Sequence, residues 1–178
     1  MRELNLSNKI KKIKVLLLDV DGVLTPGHVY IGHDGNEMQI FSVYDGYGIK
    51  LWKRAGFKVG FVSGRKSGAV ESRAKKLGID FLYLDTSDKL AVCEELSKKE
   101  GIKIENIAFM GDDLQDLSIL RKAGFAIAVS NAMPEVKKAA HYITRKSGGS
   151  GAVREAIEHM LKNKGLWDKF VKDKRLLS

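Results

Sequence analysis

Apolar positions in this chain fall in short unbroken runs rather than in strict alternation. Val15-Leu16-Leu17-Leu18 leads into Asp19-Val20-Asp21-Gly22, and Ile107-Ala108-Phe109-Met110 leads into Gly111-Asp112-Asp113. Further runs cover Val59–Val62, Phe81–Leu84, Phe125–Val129 and Tyr142–Thr144. Runs of this length, rich in Val, Ile, Leu and Phe, are the pattern of strands buried on both faces of a parallel sheet. Four stretches between them end alike: Lys53-Arg54-Ala55-Gly56-Phe57, Lys75-Lys76-Leu77-Gly78-Ile79, Lys98-Lys99-Glu100-Gly101-Ile102 and Arg121-Lys122-Ala123-Gly124-Phe125. Cations in a last helical turn oppose the negative end of the dipole, and a following Gly takes the left-handed C′ conformation. These glycines are 22, 23 and 23 residues apart, about one strand plus one helix. The pattern predicts a doubly wound, Rossmann-like α/β fold with about six parallel strands.

One stretch breaks that rhythm. Between Thr25 and Asp45 there is no helical period, and two apolar segments flank Asp34-Gly35-Asn36. A β-hairpin over about 28–43 is expected, projecting from the carboxyl edge of the sheet. A ribbon of two strands is marginal alone, so it needs something to pack on. The chain leaves no room for a separate cap domain, which makes a neighbouring subunit the natural candidate. After the core come Ser147-Gly148-Gly149-Ser150-Gly151, a helix from Ala152 to about Leu161, and a tail over about 163–178. Residues 1–178 read as a single domain.

Composition narrows the class. The chain has 178 residues, 44% hydrophobic and 30% charged, a globular rather than a disordered profile. Its longest apolar run is far too short to span a bilayer. Residues 1–14 lack the apolar segment of a secretory signal. Cys93, the lone cysteine, has no internal disulfide partner. A cytoplasmic protein without a membrane partner is expected. The net charge of +9 sits mainly at the ends: +4 in residues 1–14, +3 in 153–178, leaving 9 − 7 = +2 for the other 138. Solvated faces explain this better than a nucleic-acid surface, because few aromatics are interleaved with the charge.

Candidate chemistry lies where the strands end. Parallel sheets bind ligands at their carboxyl edge, and Asp19, Asp21 and Asp112 all fall there. Any one of them could simply cap the next helix. As a set they repel one another unless a cation joins them, and oxygen ligands of this kind suit Mg²⁺. Two acids one residue apart allow one to attack phosphorus while the other handles a proton. Ser63, after Val59–Val62, could offer its hydroxyl and backbone N–H groups at a helix N-terminus to a phosphate oxygen. Lys89 opens the helix after Phe81–Leu84, where the dipole disfavours a cation, which raises the odds of a functional reason.

Asp19-Val20-Asp21-Gly22-Val23-Leu24-Thr25, Ser63, Lys89 and Gly111-Asp112-Asp113-Leu114-Gln115-Asp116 together resemble the four motifs of haloacid-dehalogenase-superfamily phosphatases. Asp45-Gly46-Tyr47-Gly48-Ile49-Lys50, Val62-Ser63-Gly64-Arg65 and Gly148-Gly149-Ser150-Gly151-Ala152-Val153-Arg154-Glu155 are similar to its capless branch acting on 3-deoxy-D-manno-octulosonate 8-phosphate. The resemblance implies Mg²⁺-dependent hydrolysis through an aspartyl phosphate, in lipopolysaccharide precursor synthesis. Asp19 would be nucleophile and metal ligand, Asp21 acid/base and ligand through its carbonyl, and Asp112 the third ligand. Asp113 and Asp116 would stand behind the ligands, while Ser63 and Lys89 hold the phosphoryl group. Substrate contacts would come from Asp21, Ser42, Val43, Tyr44, Asp45, Gly46, Lys50, Arg65, Arg73 and Lys89. The anionic sugar phosphate would be bound in a homo-oligomer, a tetramer by resemblance. Pro26 and Tyr44 depart from that branch, where Asp and Arg are usual. Rival readings are a phosphatase for a nine-carbon keto-sugar acid 9-phosphate or a broader range of sugar phosphates, and a receiver-type module that stores phosphate; Asp21 argues against storage.

Overall fold

A computed structural model describes residues 2–173 of the chain. Its main sheet has six parallel strands: β1 (Val15–Leu18), β4 (Lys58–Val62), β5 (Phe81–Tyr83), β6 (Ile107–Gly111), β7 (Phe125–Ala128) and β8 (Tyr142–Ile143). Their order is β5-β4-β1-β6-β7-β8. The chain starts in the middle, winds outward through β4 and β5, then crosses back to β6 on the other side of β1. That reversal leaves a crevice at the carboxyl ends of β1 and its neighbours, where doubly wound sheets bind ligands.

Helices α1 (Arg2–Lys12), α2 (Val43–Arg54), α3 (Gly68–Leu77) and α7 (Ala152–Asn163) are linked by mutual packing, with α2 lying along α7. A second group, α4 (Lys89–Lys99), α5 (Leu117–Leu120) and α6 (Pro134–Ala139), packs in succession. A short last helix, α8 (Trp167–Lys172), rests on α7. Every residue of β1, β6 and β7 is buried, as their unbroken apolar runs predict. Among the described residues no helix is long and apolar enough to cross a membrane.

Two local expectations are corrected. The ribbon exists as an antiparallel pair, β2 (Tyr30–Ile31) with β3 (Glu37–Met38), but its paired part is much shorter than 28–43. Ser42 ends it: its Oγ accepts from the Asp45 N–H at 3.3 Å and starts α2 at Val43. Gly56, Gly78 and Gly101 take positive φ at helix ends, whereas Gly124 does not. Gly124 is small for a different reason, since a Cβ there would lie 1.9 Å from the Glu105 carbonyl oxygen.

Candidate active site

The turn after β1 is shaped by Thr25. Its buried Oγ1 accepts from the N–H groups of Gly22 and Gly27, each at 3.3 Å, folding residues 19–27 into a compact loop. Gly22 sits at φ +93°, and a Cβ on it would meet Asp112 Oδ2 at 2.0 Å. The glycine therefore keeps open the space between the β1 loop and the β6 loop. Gly148 approaches from behind, where a Cβ would lie 1.7 Å from the Gly22 carbonyl oxygen.

Into that space point Asp19, Asp112 and Asp116, each offering an oxygen within 4.8 Å of the others. Lys89 is almost fully buried, and its Nζ donates to Asp19 Oδ1 and to Asp116 Oδ1, both at 2.6 Å. Asp88 caps α4 and so fixes where Lys89 leaves the helix, accepting from the Leu90 and Ala91 N–H groups at 3.0 Å. Burial pulls the Lys89 pKa down, but Asp19 and Asp116 more than offset it, and the ammonium is held above its ordinary value. Burial, then the Asp116 charge, pushes Asp19 well up despite Lys89. The same two causes raise Asp112 to about 6. Were all three acids ionised beside the one lysine, two negative charges would stand uncompensated, which is why Asp19 and Asp112 hold their protons more tightly here.

Two oxygens mark where a cation fits. Asp19 Oδ2 and Asp112 Oδ1 are buried and have no hydrogen-bond partner. Orphaned carboxylate oxygens are costly to bury, and a hard divalent ion with oxygen ligands would satisfy both. Asp116 is different. Its Oδ1 takes Lys89, and its Oδ2 accepts from the Asp112 and Asp113 N–H groups at 2.9 and 3.3 Å. It orients the lysine and the Asp112 backbone. Asp113 is exposed and accepts from the Leu114 N–H, as a cap of the following turn.

Asp21 stands at the mouth. Its Oδ1 accepts from Gln39 Nε2 at 2.7 Å, and its Oδ2 lies 3.4 Å from Arg65 Nε. Arg65 also pairs with Glu37 at 3.2 Å, so the hairpin folds over its own chain's crevice. Ser63 is buried after β4, and its Oγ accepts from the Arg65 N–H at 3.1 Å, leaving the hydroxyl proton free to donate. Its own N–H is engaged by the Tyr83 carbonyl, and α3 begins only at Gly68. The expected helix N-terminus at Ser63 is therefore corrected: no helix starts there, and the Ser63 N–H itself is taken, which leaves its hydroxyl to face the crevice.

The remaining expected residues divide. Val43, Gly46, Lys50 and Arg73 line a cleft of about 230 Å³ between α2 and α3. Arg73 reaches across it to donate to the Ser42 carbonyl at 2.9 Å. Tyr44 is exposed. Asp45 turns away from the crevice: its buried carboxylate accepts from the Gly151 and Arg154 N–H groups at 3.2 and 2.8 Å, at the start of α7. Sequence reasoning missed Glu37, Gln39 and Ser67. Only their placement after a turn and before a helix hinted at anything, and neither signal points to a site.

A model of the haloacid dehalogenase-like hydrolases matches residues 83–157. The chain is 42% identical over 160 residues to the 3-deoxy-D-manno-octulosonate 8-phosphate phosphatase of Escherichia coli K12, across 90% of this chain and 85% of that protein. The solved structure of the phosphatase of that name from Moraxella catarrhalis, with a magnesium ion, a phosphate ion and KDO, matches with a TM-score of 0.92. Identity there is 40%, over 96% of this chain and 97% of that one. The cobalt-bound form of the Haemophilus influenzae enzyme matches at TM-score 0.90 and 35% identity, over 96% and 99% of the two chains. With likeness of sequence and fold sustained along nearly the whole length, the chain belongs to the haloacid dehalogenase-like hydrolases and, within them, to the 3-deoxy-D-manno-octulosonate 8-phosphate phosphatase family.

Proposed function

We propose that this protein is a Mg²⁺-dependent phosphomonoesterase that releases phosphate from 3-deoxy-D-manno-octulosonate 8-phosphate. The observation that carries the reading is the pair of buried, partnerless oxygens on Asp19 and Asp112, beside a lysine fixed between Asp19 and Asp116. Asp19, Asp112 and the Asp21 carbonyl would hold Mg²⁺, which supplies positive charge to the phosphoryl oxygens and lets a carboxylate approach a phosphate dianion. Asp19 attacks phosphorus, and the P–O bond to the sugar breaks as Asp21 gives its proton to the departing oxygen. Water then attacks the aspartyl phosphate, Asp21 takes a proton from it, and inorganic phosphate leaves with Asp19 restored. Lys89 and the Ser63 hydroxyl steady the phosphoryl group throughout. Arg65, Lys50 and Arg73 supply cationic contacts for the acidic sugar, with Ser42, Val43, Tyr44 and Gly46 shaping the wall between them, while Asp45 acts from behind by anchoring the start of α7.

The whole of 1–178 serves as one catalytic domain, in a cytoplasmic homo-oligomer, with the tetramer as the assembly. Part of the tail, 174–178, lies outside the described residues.

The test is phosphate release from the eight-carbon 8-phosphate and from a nine-carbon keto-sugar acid 9-phosphate, with and without Mg²⁺. The expected result is Mg²⁺-dependent turnover favouring the 8-phosphate, and loss of nearly all of it in Asp19→Asn. Preference for the 9-phosphate would move the substrate to the nine-carbon acid. Wild-type turnover in Asp19→Asn would end the proposed chemistry.

A further inference from the structure

Ser67 occupies the N-cap position of α3, where a serine ordinarily accepts from a backbone N–H one turn on. Here it makes no such bond. Its buried hydroxyl instead donates to Gln39 Oε1 at 3.0 Å, and Gln39 Nε2 donates to Asp21 Oδ1 at 2.7 Å. A cap has been given up to orient one amide, and that amide is aimed at one carboxylate. From these contacts we infer that Gln39 is a positioning residue for Asp21, fixed in turn by Ser67. The inference rests on Asp21 being the proton-transferring group.

Arg65 also touches Asp21, but at 3.4 Å, from a half-exposed side chain shared with Glu37. Solvent weakens such a tie. The shorter amide contact holds the carboxylate without adding charge beside the phosphoryl site. A primary amide and a hydroxyl each donate and accept. Because the Ser67 hydroxyl occupies the amide oxygen, the amide N–H is the end presented to Asp21. Gln39 follows β3 directly, so the seat of the hairpin and the aim of the acid/base are one arrangement.

The experiment compares kcat/KM for an alkyl phosphate, the sugar acid 8-phosphate, with that for p-nitrophenyl phosphate. Nitrophenolate leaves without a proton, so only the alkyl substrate needs a well-aimed acid in the first step. Gln39→Met, which keeps length and removes the amide, should lose about tenfold or more with the alkyl phosphate and little with the aryl one; complete loss of acid catalysis is typically ~10²–10⁴-fold. Ser67→Ala should give a smaller loss of the same kind. Asp21→Asn is the reference for the parent reading and should show the largest split. If Asp21→Asn shows the split and Gln39→Met affects both substrates alike or neither, the inference is overturned alone. If Asp21→Asn shows no split, the acid role of Asp21 fails and the inference with it. A crystal structure of Gln39→Met with the Asp21 carboxylate unmoved would also overturn it.

Discussion

At the scale of single residues, the charge balance beside Asp19 determines how the protein answers to pH. Burial and the Asp116 charge raise Asp112 to about 6 and Asp19 above its ordinary range. Without metal, the folded chain therefore binds these protons more tightly than the unfolded chain. The contribution of Asp112 to stability is greatest below about pH 4, falls as pH rises to about 6, and stays low above it. Mg²⁺ must displace those protons, so the stabilisation it gives should be small at pH 5 and larger at pH 7. Thermal melts with and without Mg²⁺ at both values measure this. Asp112→Asn should shrink the increment at pH 7 and flatten its pH dependence; an unchanged increment would remove Asp112 from the metal site. Asp19, Asp21, Asp112, Ser63 and Lys89 were legible in the sequence because each follows a strand whose apolar run marks its end. Gln39 was not, since one glutamine among the apolar residues of a short ribbon has no spacing that singles it out. Its meaning comes from Ser67, 28 positions away, and Asp21, 18 away.

At the scale of elements, the junction of α2 with α7 backs the catalytic turn. Asp45 accepts from two N–H groups at the start of α7, and burial raises its pKa against those bonds. It thereby anchors Gly148–Gly151, and Gly148 in turn lies against the Gly22 carbonyl. Removing this buried cap should cost about 1–2 kcal/mol, measured by chemical denaturation of Asp45→Ala. Gly148→Ala should act differently, since its Cβ has backbone on one side and the loop must move. A drop in turnover together with a lowered denaturation midpoint is expected there, because the Cβ would meet backbone rather than a yielding side chain, and wild-type turnover would show that the loop does not depend on this contact. Strands and most helix ends were readable from apolar runs and glycine stops. The partner of Asp45 was not, because the N–H groups it satisfies lie more than a hundred positions along the chain, at 106 and 109. The ribbon was expected too long for a related reason. Ile40-Phe41-Ser42-Val43 continues the β-like composition, while the Ser42 cap overrides it.

At the scale of the whole molecule, the ribbon has two unlike faces. Side chains alternate along a strand, so Glu37 and Gln39 share one face and Met38 and Ile40 the other. The first face meets Arg65, Ser67 and Asp21 of its own chain. On the second, Met38 is paired in register with Tyr30, and Tyr30, Met38 and Ile40 are 49%, 64% and 56% exposed. An apolar face on a marginal ribbon, beside two unpaired strand edges, is a surface that association would bury. Because the identical face recurs on every copy, the contact can close with symmetry, in agreement with the proposed tetramer. Light scattering after size exclusion should give about four times the 19.8 kDa of one chain. Met38→Lys with Ile40→Lys leaves Glu37 and Gln39 in place but charges the outer face. This double variant should dissociate and lose turnover of the sugar phosphate, because the ribbon that seats Gln39 is no longer supported. A monomeric double variant with full turnover would separate assembly from catalysis and sink the argument that the ribbon needs a neighbour.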